Sequence, residues 1–92
     1  MIKSFRDKET EAIFNGEPVL KFKNIANVAR RKLRSIHQAR TLRDLSLLPG
    51  NRLEALKHDR IGQHSVRINE QYRVCFVWDK GHASDVEIAD YH

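Results

Sequence analysis

The chain carries one cysteine, two prolines and four glycines in 92 residues, and none of its apolar runs approaches membrane-spanning length, which is roughly 18 residues for a helix. A lone Cys75 cannot close an internal disulfide or supply a CxxC metal knuckle, so the fold must rest on an apolar core or on a partner. Scarce glycine and proline, beside 40% hydrophobic and 32% charged residues, exclude fibrous and disordered classes and point to a compact globular chain. This length leaves room for one core, and a single domain over residues 1–92 is expected. Gly16, Gly50, Gly62 and Gly81 are scattered at turn positions, so no phosphate-cradling loop is present. The five histidines show neither HExxH nor the paired spacing of a zinc site, and neither a metal nor another cofactor is expected. Lys3, Arg6, Asp7 and Lys8 put charge where a signal peptide needs an apolar stretch, so the expected location is cytoplasmic, without a membrane partner.

Acidic residues are also scarce in one region. Residues 21–60 hold eleven Lys and Arg against three Asp and Glu, a local +8 within an overall +5, which leaves the remainder net −3. A basic block of this kind suits a polyanionic partner, nucleic acid or an acidic protein. A solvated helix face would explain any single one of these cations equally well.

The hydrophobic pattern divides the chain into a helical half and a strand half. Residues 2–5 read as a short opening strand, and Asp7 as the cap of a helix stopped by Asn15-Gly16. Pro18 to Lys23 form a connection. After Asn24, Ile25, Val28, Ala29, Leu33 and Ile36 recur on one face of a long helix. Thr41 with Asp44 resembles a capping box, opening a short helix that would run to Pro49-Gly50. From His64 onward the period is two, and three strands form an antiparallel meander with a turn at residues 79–82.

Burial selects the register of the first hairpin. A three-residue loop, Asn69 to Gln71, gathers Val66, Ile68, Tyr72, Val74, Phe76 and Trp78 on one face for the helices to cover. The same register sets Arg67 opposite Arg73, a like-charge pair costing up to roughly 1 kcal/mol unless an acid or a ligand sits between them. Glu87 from the next strand is a candidate for that acid. The other reading is an anion site on an open sheet face.

Among chemically capable residues, Cys75 in mid-strand reads as a packing residue. Lys57, Arg60, Arg67 and Arg73, with Asp90-Tyr91-His92, form a more specific set. Metal-free RNA cleavage through the 2′-OH needs a proton acceptor, a proton donor and cations around the phosphorane, and these residue types supply them. An aromatic ring also stacks on an unpaired base.

Five segments carry a family resemblance: Met1 to Phe5, Pro49 to Lys57, Asp59 to Asn69, Tyr72 to Phe76, and Val86 to His92. Together they resemble, over the whole chain, the HigB-type "host inhibition of growth" toxins of the RelE/ParE superfamily, in its HigB/GraT branch. The resemblance implies an α+β fold with N-terminal helices packed on one face of an antiparallel sheet. It implies a metal-independent endoribonuclease that cuts mRNA on the ribosome. It also implies a HigA-type helix-turn-helix antitoxin whose complex with the toxin binds operator DNA. By position, Lys57, Arg73, Asp90, Tyr91 and His92 match residues the family associates with cleavage, while Glu54 stands where some members have a catalytic His. The roles expected are Glu54 as base, His92 as acid, Tyr91 as stacking or orienting group, and Lys57 and Arg73 as charge stabilisers, with Arg60, Arg67 and Asp90 contacting RNA. The alternative is a non-catalytic growth inhibitor acting on ribosomes or, as in ParE relatives, on DNA gyrase.

Overall fold

The computed structural model describes residues 1–91, so the part expected of His92 lies outside the described residues. Three helices, α1 (Lys8–Phe14), α2 (Ala26–Gln38) and α3 (Leu42–Ser46), precede four strands, β1 (Glu54–Ala55), β2 (Gln63–Arg67), β3 (Tyr72–Asp79) and β4 (His82–Asp90). The strands form one sheet in the order β1-β2-β3-β4, each antiparallel to its neighbour. Among the described residues no helix is long and apolar enough to cross a membrane.

Each helix begins where local chemistry satisfies its free amides. Asp7 accepts from the Thr10 amide at 2.6 Å to open α1, and the helix stops at Asn15 before Gly16, whose φ of +83° few other residues tolerate. Thr10 is fully buried, and its hydroxyl accepts from the Ile88 amide at 2.9 Å, fastening α1 to β4. The capping box at α3 is reciprocal: Thr41 Oγ1 accepts from the Asp44 amide, and Asp44 Oδ2 accepts from the Thr41 and Arg40 amides. Those backbone hydrogen bonds, from Arg40 and then Thr41, hold the Asp44 carboxyl below the usual aspartate range.

The α2 face reads as its spacing predicts, with Ala29, Leu33 and Ile36 fully buried against Val66, Val74, Phe76 and Val86 of the sheet. The first hairpin takes the register that burial selects, with Val66 opposite Val74 and Arg67 opposite Arg73. Asn69 explains the loop length, because its Oδ1 accepts from the amides of both Gln71 and Tyr72 and folds the chain back in three residues.

Four local expectations are corrected. Residues 2–5 do not form a strand; Ile2 and Phe5 make isolated parallel bridges to Ala83 and Val86, on either side of an irregularity in β4. There the pairing with β3 shifts register between Cys75 and Val77, and Asp85 takes a φ of +52°. Helix α3 ends at Ser46, short of Pro49, because the buried Asn51 side chain donates to the Leu45 carbonyl and turns the chain inward. The strand β1 has no two-residue periodicity to announce it. The sheet face opposite the helices is also not open: Leu56, carried by the segment after β1, packs with Cys75 and Ala89 in a second, smaller cluster.

Candidate active site

Beside that smaller cluster the chain leaves a groove of about 330 Å³ lined by Glu54, Ala55, Leu56, Lys57, His58 and Tyr91. Strand β1 supplies Glu54, a 3₁₀ turn at His58–Arg60 folds the basic side chains back, and Tyr91 follows the end of β4. The Tyr91 amide donates to the Gln71 carbonyl at 2.6 Å, which holds this end of the chain beside the β2–β3 loop. A smaller recess of about 210 Å³ continues from the groove between Lys57, His58, Asp59, Arg60 and Tyr91.

Arg73 is the buried cation of this region, 9% exposed. Its Nε donates to Ser65 Oγ at 2.7 Å and its Nη2 to the Arg52 carbonyl at 2.6 Å, with Glu54 Oε1 at 3.9 Å from Nη2. A guanidinium fixed at two points by neutral acceptors keeps its charge and remaining donors for an anion. The acid beside Arg73 is therefore Glu54. Glu87 does not lie between Arg67 and Arg73, because the register places it opposite Cys75; it accepts from Arg60 Nη1 at 3.0 Å and pairs with Arg6 at 3.8 Å.

Arg60 is partly buried, and that burial disfavours its charge. The Glu87 hydrogen bond and the fields of Cys75, Glu87 and Tyr91 more than offset it, so the guanidinium is held above its ordinary value. Burial pushes the Cys75 thiol up despite the opposing field of Arg60, as befits a packing residue.

Of the residues singled out in the sequence, Glu54, Lys57 and Tyr91 share the groove, Arg73 borders it through Glu54, and Arg60 joins it through the recess beside Tyr91. Arg67 goes elsewhere, into a hollow against α2. Asp90 accepts from Gln71 Nε2 at 3.1 Å at the end of the sheet. Sequence reasoning missed three contributors. His58 lines both groove and recess with a φ of +58°, a left-handed conformation uncommon for a non-glycine residue. Ser65 and Arg52 position Arg73, the latter through its carbonyl, which residue type does not reveal.

A small α+β chain whose sheet carries a groove lined by Glu54, Lys57 and Tyr91 beside the buried Arg73 is thus defined by its geometry. Residues 3–92 match the family model of the RelE-like toxin of type II toxin–antitoxin system HigB, and the chain belongs to this family of toxins. It is 35% identical over 83 residues to Toxin HigB-1 of Vibrio cholerae serotype O1, covering 88% of this chain and 87% of that one. In fold it is similar to the toxin of the heterotetrameric YoeB–YefM toxin–antitoxin complex of Staphylococcus aureus, with a TM-score of 0.61 at 17% identity over all of this chain and 98% of that one. It is also similar to the Staphylococcus aureus YoeB dimer, with a TM-score of 0.58 at 22% identity over 99% and 94% of the two chains.

Proposed function

We propose that this toxin is a cytoplasmic, metal-independent endoribonuclease that cuts mRNA on the ribosome. In this reading residues 1–92 act as a single toxin domain, silenced by a HigA-type helix-turn-helix antitoxin whose complex with the toxin binds operator DNA. The observation that carries the reading is the convergence of Glu54, Lys57 and Tyr91 on one groove bordered by the doubly anchored guanidinium of Arg73.

The chemistry follows from the groups present. Glu54 takes the proton of a ribose 2′-OH, and the 2′-oxygen attacks the adjacent phosphorus. Lys57 and Arg73 stabilise the charge gathering on the phosphorane oxygens, and the bond to the 5′-oxygen breaks as His92 protonates it. The products are a 2′,3′-cyclic phosphate and a 5′-hydroxyl. Tyr91, 41% exposed at the groove, offers a ring for a base to stack on. With only a few polar groups at the groove, the ribosome holds the mRNA and the toxin adds those groups, a division of labour in which positioning carries much of the rate.

Primer extension on translated and untranslated transcripts tests this directly. Cuts are expected only in translated mRNA, and Glu54→Gln should slow them about a hundredfold or more, in line with the loss of a general base. Growth arrest with intact mRNA would instead favour a non-catalytic block of ribosomes or gyrase. Equal cutting of naked RNA would remove the ribosome from the scheme.

A further inference from the structure

On the helical side of residues 51 and 52 lies a second cationic feature. A hollow of about 380 Å³ is bounded by Val28, Arg31, Lys32 and Ser35 of α2, by the chain from Leu48 to Asn51, and by Arg67 at the end of β2. Its volume falls within the roughly 300–1,000 Å³ of sites that hold small ligands. Three cations meet there. The ion pairs formed among the described residues join Arg6 and Arg60 to Glu87, Lys21 to Glu9 and Arg73 to Glu54, and none includes Arg31, Lys32 or Arg67.

The hollow is built, not incidental. Asn51 is 1% exposed; its side chain donates to the Leu45 carbonyl and accepts from Lys32 Nζ at 2.6 Å, and its carbonyl accepts from the Arg67 amide at 2.6 Å. The ammonium is thus fixed by one neutral acceptor, with two N–H groups left over. Burial, then the fields of Arg31 and Arg67, push the Lys32 ammonium below its ordinary value, the mark of a charge held without a counterion.

The hollow is linked to the groove region through the chain. Asn51 anchors Lys32 and the next residue, Arg52, anchors Arg73, so the two cations hang from adjacent links of the chain. Arg67 of the hollow pairs across the hairpin with Arg73 of the groove. A polyanion with regularly spaced charges suits this arrangement better than a single carboxylate.

We propose that the hollow formed by Arg31, Lys32 and Arg67 holds a backbone phosphate of the same single-stranded RNA whose scissile bond lies in the groove, a neighbouring nucleotide being gripped while the cleavage residues act. The proposal rests on the ribonuclease reading for the identity of the strand. Its role is binding and register, with no part in the chemical step.

The test is fluorescence anisotropy with a short single-stranded oligonucleotide fully 2′-O-methylated, which no attack by the 2′-oxygen can cleave, so binding is read apart from catalysis. Wild type is compared with Arg31→Ala, and with Arg34→Ala, which removes an exposed cation of the same helix outside the hollow. Arg31→Ala should weaken binding about five- to tenfold and flatten the plot of log affinity against log salt by about 0.7, one phosphate contact on a single strand, while Arg34→Ala stays near wild type. Equal effects of the two substitutions, or no binding by the wild type, would overturn the proposal. So would a loss confined to antitoxin binding or to mRNA-free ribosomes. A wild type that binds the oligonucleotide through Arg31 but cuts no translated mRNA would sustain the hollow and remove the nuclease.

Discussion

At the scale of single residues, Arg73 and His58 show how position changes the meaning of a side chain. Facing away from the main core, Arg73 reads from the sequence as an accessible cation, yet its guanidinium is enclosed and satisfies Ser65 and the Arg52 carbonyl. Arg73→Ala should therefore lower stability by about 1–3 kcal/mol as well as abolish toxicity, since two acceptors lose their donor. Urea unfolding checks this, and an unchanged midpoint would mean that water replaces the guanidinium without penalty. His58 carries the opposite sign. Its left-handed backbone costs more than the unfolded-state entropy a glycine would add, so His58→Gly should raise stability by up to about 1 kcal/mol. The same variant reports on chemistry, because a fall in cleavage despite higher stability would bring the imidazole into the proton transfers. Lys57 and Tyr91 were legible as chemical types, and Glu54 by position through the family resemblance. The φ of His58 and the carbonyl of Arg52 were not, because both are properties of backbone path.

At the scale of elements, local signals served well wherever a side chain bonds to nearby backbone. Asp7 and the Thr41–Asp44 box name their own partners within a few residues and cap as the sequence suggests, while Asn69 closes a loop whose length burial alone selects. Failures came where the partner is distant. The end of α3 depends on Asn51 reaching back to Leu45, and the β4 irregularity answers to bridges from the N-terminal segment. Face alone points Glu87 toward the arginine pair, while its ion pairs come from Arg60 and Arg6, outside the meander. Thr41→Ala should cost about 1 kcal/mol, the usual worth of an N-cap hydroxyl. The partner acid adds a pH signature. With its carboxyl held below the ordinary 3.8, Asp44 contributes stability that is present above that value and is lost as pH falls through the folded-state value. Asp44→Asn should flatten that part of the acid limb in a thermal melt series, and an unchanged limb would mean that the box is already open near pH 4.

For the whole molecule, the uneven charge acquires a location. The +8 region of residues 21–60 supplies α2 and the groove's basic turn, and so places cations on both sides of the Asn51–Arg52 link. Binding to ribosomes should accordingly fall steeply with salt, with a log–log slope of about −3 or steeper if several phosphates are met at once. A slope near −1 in filter binding would mean that a single contact dominates. The Asn51–Arg52 link also forecasts how the protein would drift under neutral mutation. Asn51 is used through its side chain, so a saturation library at that position should retain almost nothing. Arg52 is used through its carbonyl at a φ of +45°, with its side chain exposed, so its library should retain many substitutions, with glycine and asparagine foremost. Two adjacent positions, equally bound to the site, would differ sharply in how freely their letters change.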